Sequence, residues 1–239
     1  MIGLGTIINM AAIVLGGGIG LIGGKKLNER CQETLIRGMG ICVLFISIAG
    51  VMEQMLRVEG TTLASGGTMM LIVSIALGAI LGEWMDLDRK MEQFGSWLRD
   101  KSGNQEDNQF LNAFITASMT VCIGAMAVVG AVQDGIYGNY STLTAKALLD
   151  FIIILVMASS LGKGCLFSAI PVGLFQGSIT LLAKLIEPLL TDAALQNLSL
   201  VGSVLIFCVG MNLIWKNTIR VANLLPALII AVLYAFTGL

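Results

Sequence analysis

Residues 5–20 read "GTIINMAAIVLGGGIG" and residues 67–82 read "GTMMLIVSIALGAILG". Neither stretch carries a charge, and with its flanks each approaches the roughly 20 apolar residues that a membrane-spanning helix needs. Gly5, Thr6, Ile13, Leu15, Gly16 and Gly20 of the first recur as Gly67, Thr68, Ile75, Leu77, Gly78 and Gly82 of the second. Gly16-x-x-x-Gly20-x-x-x-Gly24 and Gly78-x-x-x-Gly82 form ridges of small residues that let helix backbones approach closely. The fold expected from these stretches is all-α, a polytopic integral membrane protein.

The similarity extends beyond one helix. "CVLFISIAGVMEQ" (42–54) aligns more weakly with "CIGAMAVVGAVQD" (122–134). The N-terminal half therefore reads as a duplicated helical hairpin, residues 5–56 and 67–134, inside a single transmembrane domain over 1–239. Repeats of this kind are common in secondary transporters, whose sites lie at the repeat interface.

Composition agrees. Of 239 residues, 56% are hydrophobic and only 12% charged, about half the charged share of a soluble domain. A net charge of −1 offers no basic surface for nucleic acid. The N-terminus lacks the positive flank of a signal peptide and reads as a retained span. Cys31, Cys42, Cys122, Cys165 and Cys208 show no C-x-x-C spacing, which argues against a disulfide framework. With 0 histidines, the commonest general base and the commonest transition-metal ligand are both missing. No Ser-His or Cys-His pair and no metal-ligand cluster exists, so an enzyme is not expected and no cofactor is called for.

Apolar runs predict about eight transmembrane helices, near 3–23, 36–56, 64–84, 109–132, 143–161, 165–187, 198–215 and 220–237. Only Leu161-Gly162-Lys163-Gly164 separates the fifth from the sixth, so seven spans plus a re-entrant hairpin within 146–187 is the competing topology. Lys25, Lys26, Arg30, Arg37, Arg89, Lys90, Arg99, Lys101, Lys163, Lys216 and Arg220 fall on one side. Only Arg57, Lys146 and Lys184 of the 14 basic residues fall on the other. The positive-inside rule makes the first group cytoplasmic and places both termini outside. "DLDRKMEQFGSWLRDK" (86–101) carries Leu87, Met91, Phe94 and Leu98 at helical spacing, with Trp97 beside them. It reads either as a cytoplasmic interfacial helix or as a helix packed on another part of the protein.

Polar groups within spans cost too much to be incidental: a charge at the helix centre costs at least ~2.5–3.5 kcal/mol on insertion scales. Asp150, in "KALLDFIIILVM", is the one carboxylate clearly inside a span, roughly 10 Å from the outer boundary at about 1.5 Å per residue. An ion pair with Lys146, one turn earlier, and a cation or proton site are both open readings. Asn9 lies at a similar depth. Gln133 and Asp134 emerge at the outer end of the fourth span, as the rim of a polar pocket or as a helix end in water; in the first reading Gly135 frees the backbone to turn. Gln176 sits mid-span after Pro171 and Gly173, and Asn212 puts another amide inside the seventh span. Thr116, Ser118, Thr120 and Ser168 are weaker candidates, because hydroxyls can bond their own helix.

"VCIGAMAVVGAVQDG", "LTAKALLDF", "FSAIPVGLFQGSITLLA", "VGMNLI" and "VANLLPALIIAV" follow one another in that order. With the opening "GTIINMAAIVLGGGIG" they resemble the bacterial membrane family catalogued as domain of unknown function 554, the YqgA/YdfK-like proteins, over essentially the whole chain. The resemblance implies an inner-membrane protein of bacterial type and supplies no substrate. Its motifs contain Gln133, Asp134, Asp150, Gln176 and Asn212, the same residues that membrane energetics singles out.

The function expected is transport of a small solute or cation by alternating access. Asp150 would bind a coupling cation or proton while Gln133, Asp134, Gln176, Asn212 and Asn9 orient the solute. A channel, or a structural or sensory membrane protein, is the alternative. The expected partners are the lipid bilayer and a small solute or cation, and the glycine ridges are compatible with a homodimer.

Overall fold

The computed structural model describes residues 2–24, 29–59, 61–103, 109–122, 125–215 and 218–237. Lys25, Lys26 and Lys216, counted above for orientation, lie outside the described residues, as do Ile123 and Gly124 of the fourth expected span. The chain divides into two compact units, Met1–Met39 with Arg89–Ile186 and Gly40–Asp88 with Glu187–Leu239. Each unit draws on both expected copies of the repeat.

Among the described residues, six helices are long and apolar enough to cross a membrane: Leu4–Gly23, Glu33–Met55, Thr68–Met85, Ser141–Leu161, Lys163–Leu181 and Asp192–Trp215. The eighth expected span is a shorter apolar helix, Val221–Tyr234. The fourth is not one helix: Phe110–Cys122 and Met126–Tyr137 meet at a bend of 63°. A two-stranded hairpin, Leu56–Glu59 (β1) paired antiparallel with Thr62–Ser65 (β2), follows the second helix and was not expected. Each strand has only four residues, too few for a period-2 pattern to stand out beside long apolar helices.

In the first unit, α1 (Leu4–Gly24) runs parallel to α7 (Ser141–Leu161) at backbone contact. A Cβ on Gly16 would stand 2.5 Å from the Phe151 carbonyl oxygen, and one on Gly20 2.2 Å from that of Leu155. The glycine ridge thus packs helices within the chain. After α7, Gly162 at φ 97° turns the backbone into a 3-10 turn, Lys163–Ser168, and then α8, Ala169–Leu181. The chain then travels back antiparallel to α1, since Gly17 abuts Leu166 and Gly173 abuts Met10. Ser141–Leu161 and Lys163–Leu181 are accordingly two antiparallel segments, each long and apolar enough to cross a membrane.

The same contacts settle the bent pair, α5 (Phe110–Cys122) and α6 (Ala125–Tyr137). Gly164 lies against the Phe110 carbonyl at the far end of α7, whereas Gly5 lies against Asp134 and Leu143 at the near end. The pair therefore travels the length of α7 as one broken span. Preceding it, α4 (Leu87–Lys101) packs Met91, Phe94 and Leu98 around Phe110, Phe114, Phe167 and Ile170. One face of this amphipathic helix is thus packed on its own unit, and Trp97, stacked on Phe94, stays 54% exposed. The unit closes with α9, the single turn Ala183–Ile186.

In the second unit, α2 (Glu29–Met55) contributes its residues from Gly40 onward. α3 (Thr68–Met85) lies antiparallel to α11 (Pro226–Tyr234) and the 3-10 turn before it. A Cβ on Gly78 would meet Ala227 at 2.5 Å, and one on Gly82 would meet the Asn223 carbonyl oxygen at 1.8 Å. Gly40 of α2 and Gly210 of α10 (Asp192–Trp215) face one another's helices in the same way. Asn223 accepts a hydrogen bond from the Asp88 N–H at 2.7 Å, fixing the turn after α3.

Candidate functional site

Five of the six residues singled out from the sequence belong to the first unit. Asp150 points inward from α7 and is 3% exposed. One turn earlier Lys146, 6% exposed, forms an ion pair with it. The same ammonium donates to the Val121 carbonyl oxygen at 2.7 Å. Val121 is the penultimate residue of α5 as described, next to the 63° bend between α5 and α6. Lys146 therefore joins the broken end of one span to the carboxylate of another. The Asn9 amide of α1 approaches the Asp150 carboxylate as well, without ordinary hydrogen-bond geometry, and the Cys122 thiol stands within electrostatic reach of both charges.

Gln176 on α8 and Asn9 on α1 are each 0% exposed. The oxygen and nitrogen of both amides make no hydrogen bond among the described residues. Because α8 packs antiparallel on α1 through Gly173 and Met10, Gln176 falls near the level of Thr6 and Asn9. The Thr6 hydroxyl is buried and unbonded too. Leaving a buried polar group unsatisfied costs about 1–3 kcal/mol, so this concentration of unused donors and acceptors is a substantial stability cost confined to one place.

Asp134 is 0% exposed and accepts the Gly5 backbone N–H on one carboxyl oxygen at 3.0 Å. A carboxylate at a helix N-terminus satisfies a free N–H and meets the positive end of the helix dipole. Its other oxygen makes no hydrogen bond among the described residues. Gln133 accepts from the Thr142 hydroxyl at 2.8 Å and staples α6 to the start of α7. The reading of Gly135 needs correction. α6 continues to Tyr137, and the turn falls at Gly138, φ +64°. Gly135 instead admits Ala183 and the Thr180 carbonyl, each 2.5 Å from where its Cβ would sit.

Asn212 lies in the second unit, donating to the Ile219 carbonyl oxygen at 2.7 Å and accepting the Ile219 N–H at 2.9 Å. Its amide closes the turn after α10. Two hydrogen bonds at about 1 kcal/mol each predict that Asn212→Ala costs about 2 kcal/mol, measurable as a lower Tm in detergent with ligand-dependent shifts unchanged. The weaker hydroxyl candidates behave as local bonds: Thr120 donates to the Thr116 carbonyl and Ser168 to that of Cys165. Ser118 alone is buried and unbonded.

The sequence signalled Lys146 through its i,i+4 spacing to Asp150, but not its bond to Val121. That contact lies beside the bend between α5 and α6, which no proline marks. Among the described residues, no group of three or more Asp, Glu, Cys or His could hold a metal ion.

The family model described as "Protein of unknown function (DUF554)" matches residues 4–236. The chain is 28% identical over 226 residues to the "Uncharacterized membrane protein YdfK" of Bacillus subtilis, covering 95% of this chain and 93% of that protein. It is 27% identical over 232 residues to the "Uncharacterized protein YqgA" of Escherichia coli, covering 95% and 94%. No solved structure matches it.

Proposed function

The chain belongs to the DUF554 family of membrane proteins, and from that premise we propose that it carries a small polar solute or cation across the bacterial inner membrane by alternating access. The observation that supports this reading is the pair of fully buried amides, Asn9 and Gln176, whose four polar atoms make no hydrogen bond of ordinary geometry among the described residues. Packing alone would favour apolar side chains there. A transported solute makes use of such groups, because its own donors and acceptors complete them in passing.

The surrounding parts suit the task. A broken span is a common way to build a binding site at mid-membrane depth. Asp134 and Gln133 sit at the end of the unit where α1 and α7 begin. The charge distribution makes that the external end, so they form the rim while Asp150, Asn9 and Gln176 lie deeper.

The test separates a binding group from a packing group by opposite signs. Gln176→Leu removes two unsatisfied polar atoms at nearly constant volume, so it is expected to raise the Tm of the detergent-purified protein. It is also expected to abolish saturable thermal shifts from a panel of alkali cations, ammonium and small uncharged solutes. A bound ligand adds RT ln(1 + [L]/Kd), about 2.7 kcal/mol at a hundredfold excess. The compound that shifts the wild type is then assayed for counterflow in proteoliposomes. If Gln176→Leu lowers stability and every compound leaves the wild type unmoved, the amide is structural and the transport reading is wrong.

A further inference from the structure

We infer that Lys146 is a resident cation. Its ammonium occupies the position where the broken span binds positive charge, so the solute that completes the neighbouring amides is uncharged. The second half of this inference rests on the reading of the first unit as a solute site. The first half rests on geometry alone.

Two negative features converge beside the break. The Val121 carbonyl lies at the C-terminal end of α5, where the helix dipole leaves partial negative charge, and Asp150 supplies a full one. Both are met by the Lys146 ammonium, with the Asn9 amide alongside the carboxylate. This oxygen-rich surround is what an ammonium ion requires, since it offers donors only. The lysine reaches it from one turn away on α7.

Charge balance then decides what else can bind. Lys146 and Asp150 cancel, Asp134 is engaged at the rim by the Gly5 N–H, and the groups left over beside the pair are amides, each with donors and an acceptor. A cationic solute would meet the ammonium head-on. An anionic one would find no further buried cation, because Lys146 is the only buried basic residue among the described ones. A small solute bearing both donors and acceptors, of the hydroxyl or amide kind, matches Asn9 and Gln176 without disturbing the pair. The titratable groups facing the pair are Cys122 of α5 and the two partners themselves.

The experiment vacates the position and refills it. Lys146→Ala keeps Asp150 and the Val121 carbonyl and deletes the ammonium. Purified wild type, Lys146→Ala and Lys146→Ala/Asp150→Ala are titrated with methylammonium chloride, against tetramethylammonium chloride at matched ionic strength, and Tm is read. Wild type should show no saturable shift. Lys146→Ala should melt several degrees lower and recover saturably with methylammonium alone, because tetramethylammonium has no N–H to donate. The double variant should not respond.

Recovery of Lys146→Ala by both salts, or by neither, overturns the inference. So does a saturable shift of wild type by methylammonium or an alkali cation that disappears in Asp150→Asn. That last comparison decides the matter even if Lys146→Ala does not fold. Recovery by methylammonium in a protein that no uncharged solute stabilises upholds the cation position and overturns the transport reading, so the two fail separately.

Discussion

Asp150→Asn lowers the stability of the protein by about 3–5 kcal/mol, the range for breaking a buried ion pair from one side. The carboxylate and ammonium are 3% and 6% exposed, and each makes the other tolerable. With the carboxylate gone, the Lys146 ammonium keeps only the Val121 carbonyl and the asparagine's neutral oxygen. Lys146→Met should cost a similar amount, because it strands the carboxylate. Lys146→Met/Asp150→Leu removes both charges and leaves no buried charge unpaired there, so its loss should be far smaller than the sum of the two. A remainder of about 1 kcal/mol is expected from the Val121 carbonyl, which loses its donor in the double variant as in Lys146→Met.

The measurement is a double-mutant cycle on Tm or denaturant midpoint in detergent. A coupling of at least about 2 kcal/mol is expected from the geometry. Additive losses would mean that the two charges are stabilised independently, and the bridge from α7 to the broken end of α5 would lose its energetic basis. Exposed pairs provide the contrast. Arg37–Glu33 and Arg220–Glu83 hold their side chains more than half exposed, where pairs contribute about 0–1 kcal/mol, and their removal should pass almost unnoticed.

Sequence and structure agree where the signal is one helix reporting on itself. The span at 4–24 and the one at 141–161 were legible because an uncharged apolar run of that length has few other uses. The Lys146–Asp150 spacing was legible because i and i+4 share a helix face whatever the fold. Agreement stops where the answer depends on a neighbour. The break between α5 and α6 lacks the Pro that usually marks one, and the glycine beside it, Gly124, is one of many in this chain. Beside the bend, the Lys146 ammonium of another helix donates to the Val121 carbonyl. Asn212 read as an intramembrane amide from its position, yet the turn at Ile219 folds back and consumes both of its hydrogen-bonding sides. Gly135 was assigned to backbone freedom because it follows polar residues. The close approach of α8 and α9 is the real constraint, and no pattern within α6 could disclose it.

The glycines of α1 give the sharpest contrast, because adjacent positions carry opposite signs. Gly18 has nothing within 4 Å of a built Cβ, whereas Gly20, two residues on, would place its Cβ 2.2 Å from the Leu155 carbonyl oxygen. At Gly18 the only consequence of alanine is helix propensity, and alanine exceeds glycine by about 0.8–1.0 kcal/mol in aqueous hosts. Gly18→Ala should therefore raise stability by up to that amount. Gly20→Ala gains the same propensity but must push α7 away. The obstructing atom belongs to the backbone, so no side-chain rotation can relieve it. Parting the helices also loosens Gly16 from Phe151 and alters the approach of Asn9 to Asp150. The expected loss is about 3 kcal/mol, the upper end of ordinary overpacking. A chain held together mainly by lipid pressure and loop lengths would answer the two substitutions alike. Thermal denaturation of the two single variants, side by side in one detergent, is therefore a direct reading of whether backbone contact between α1 and α7 is what sets Asn9 beside the ion pair.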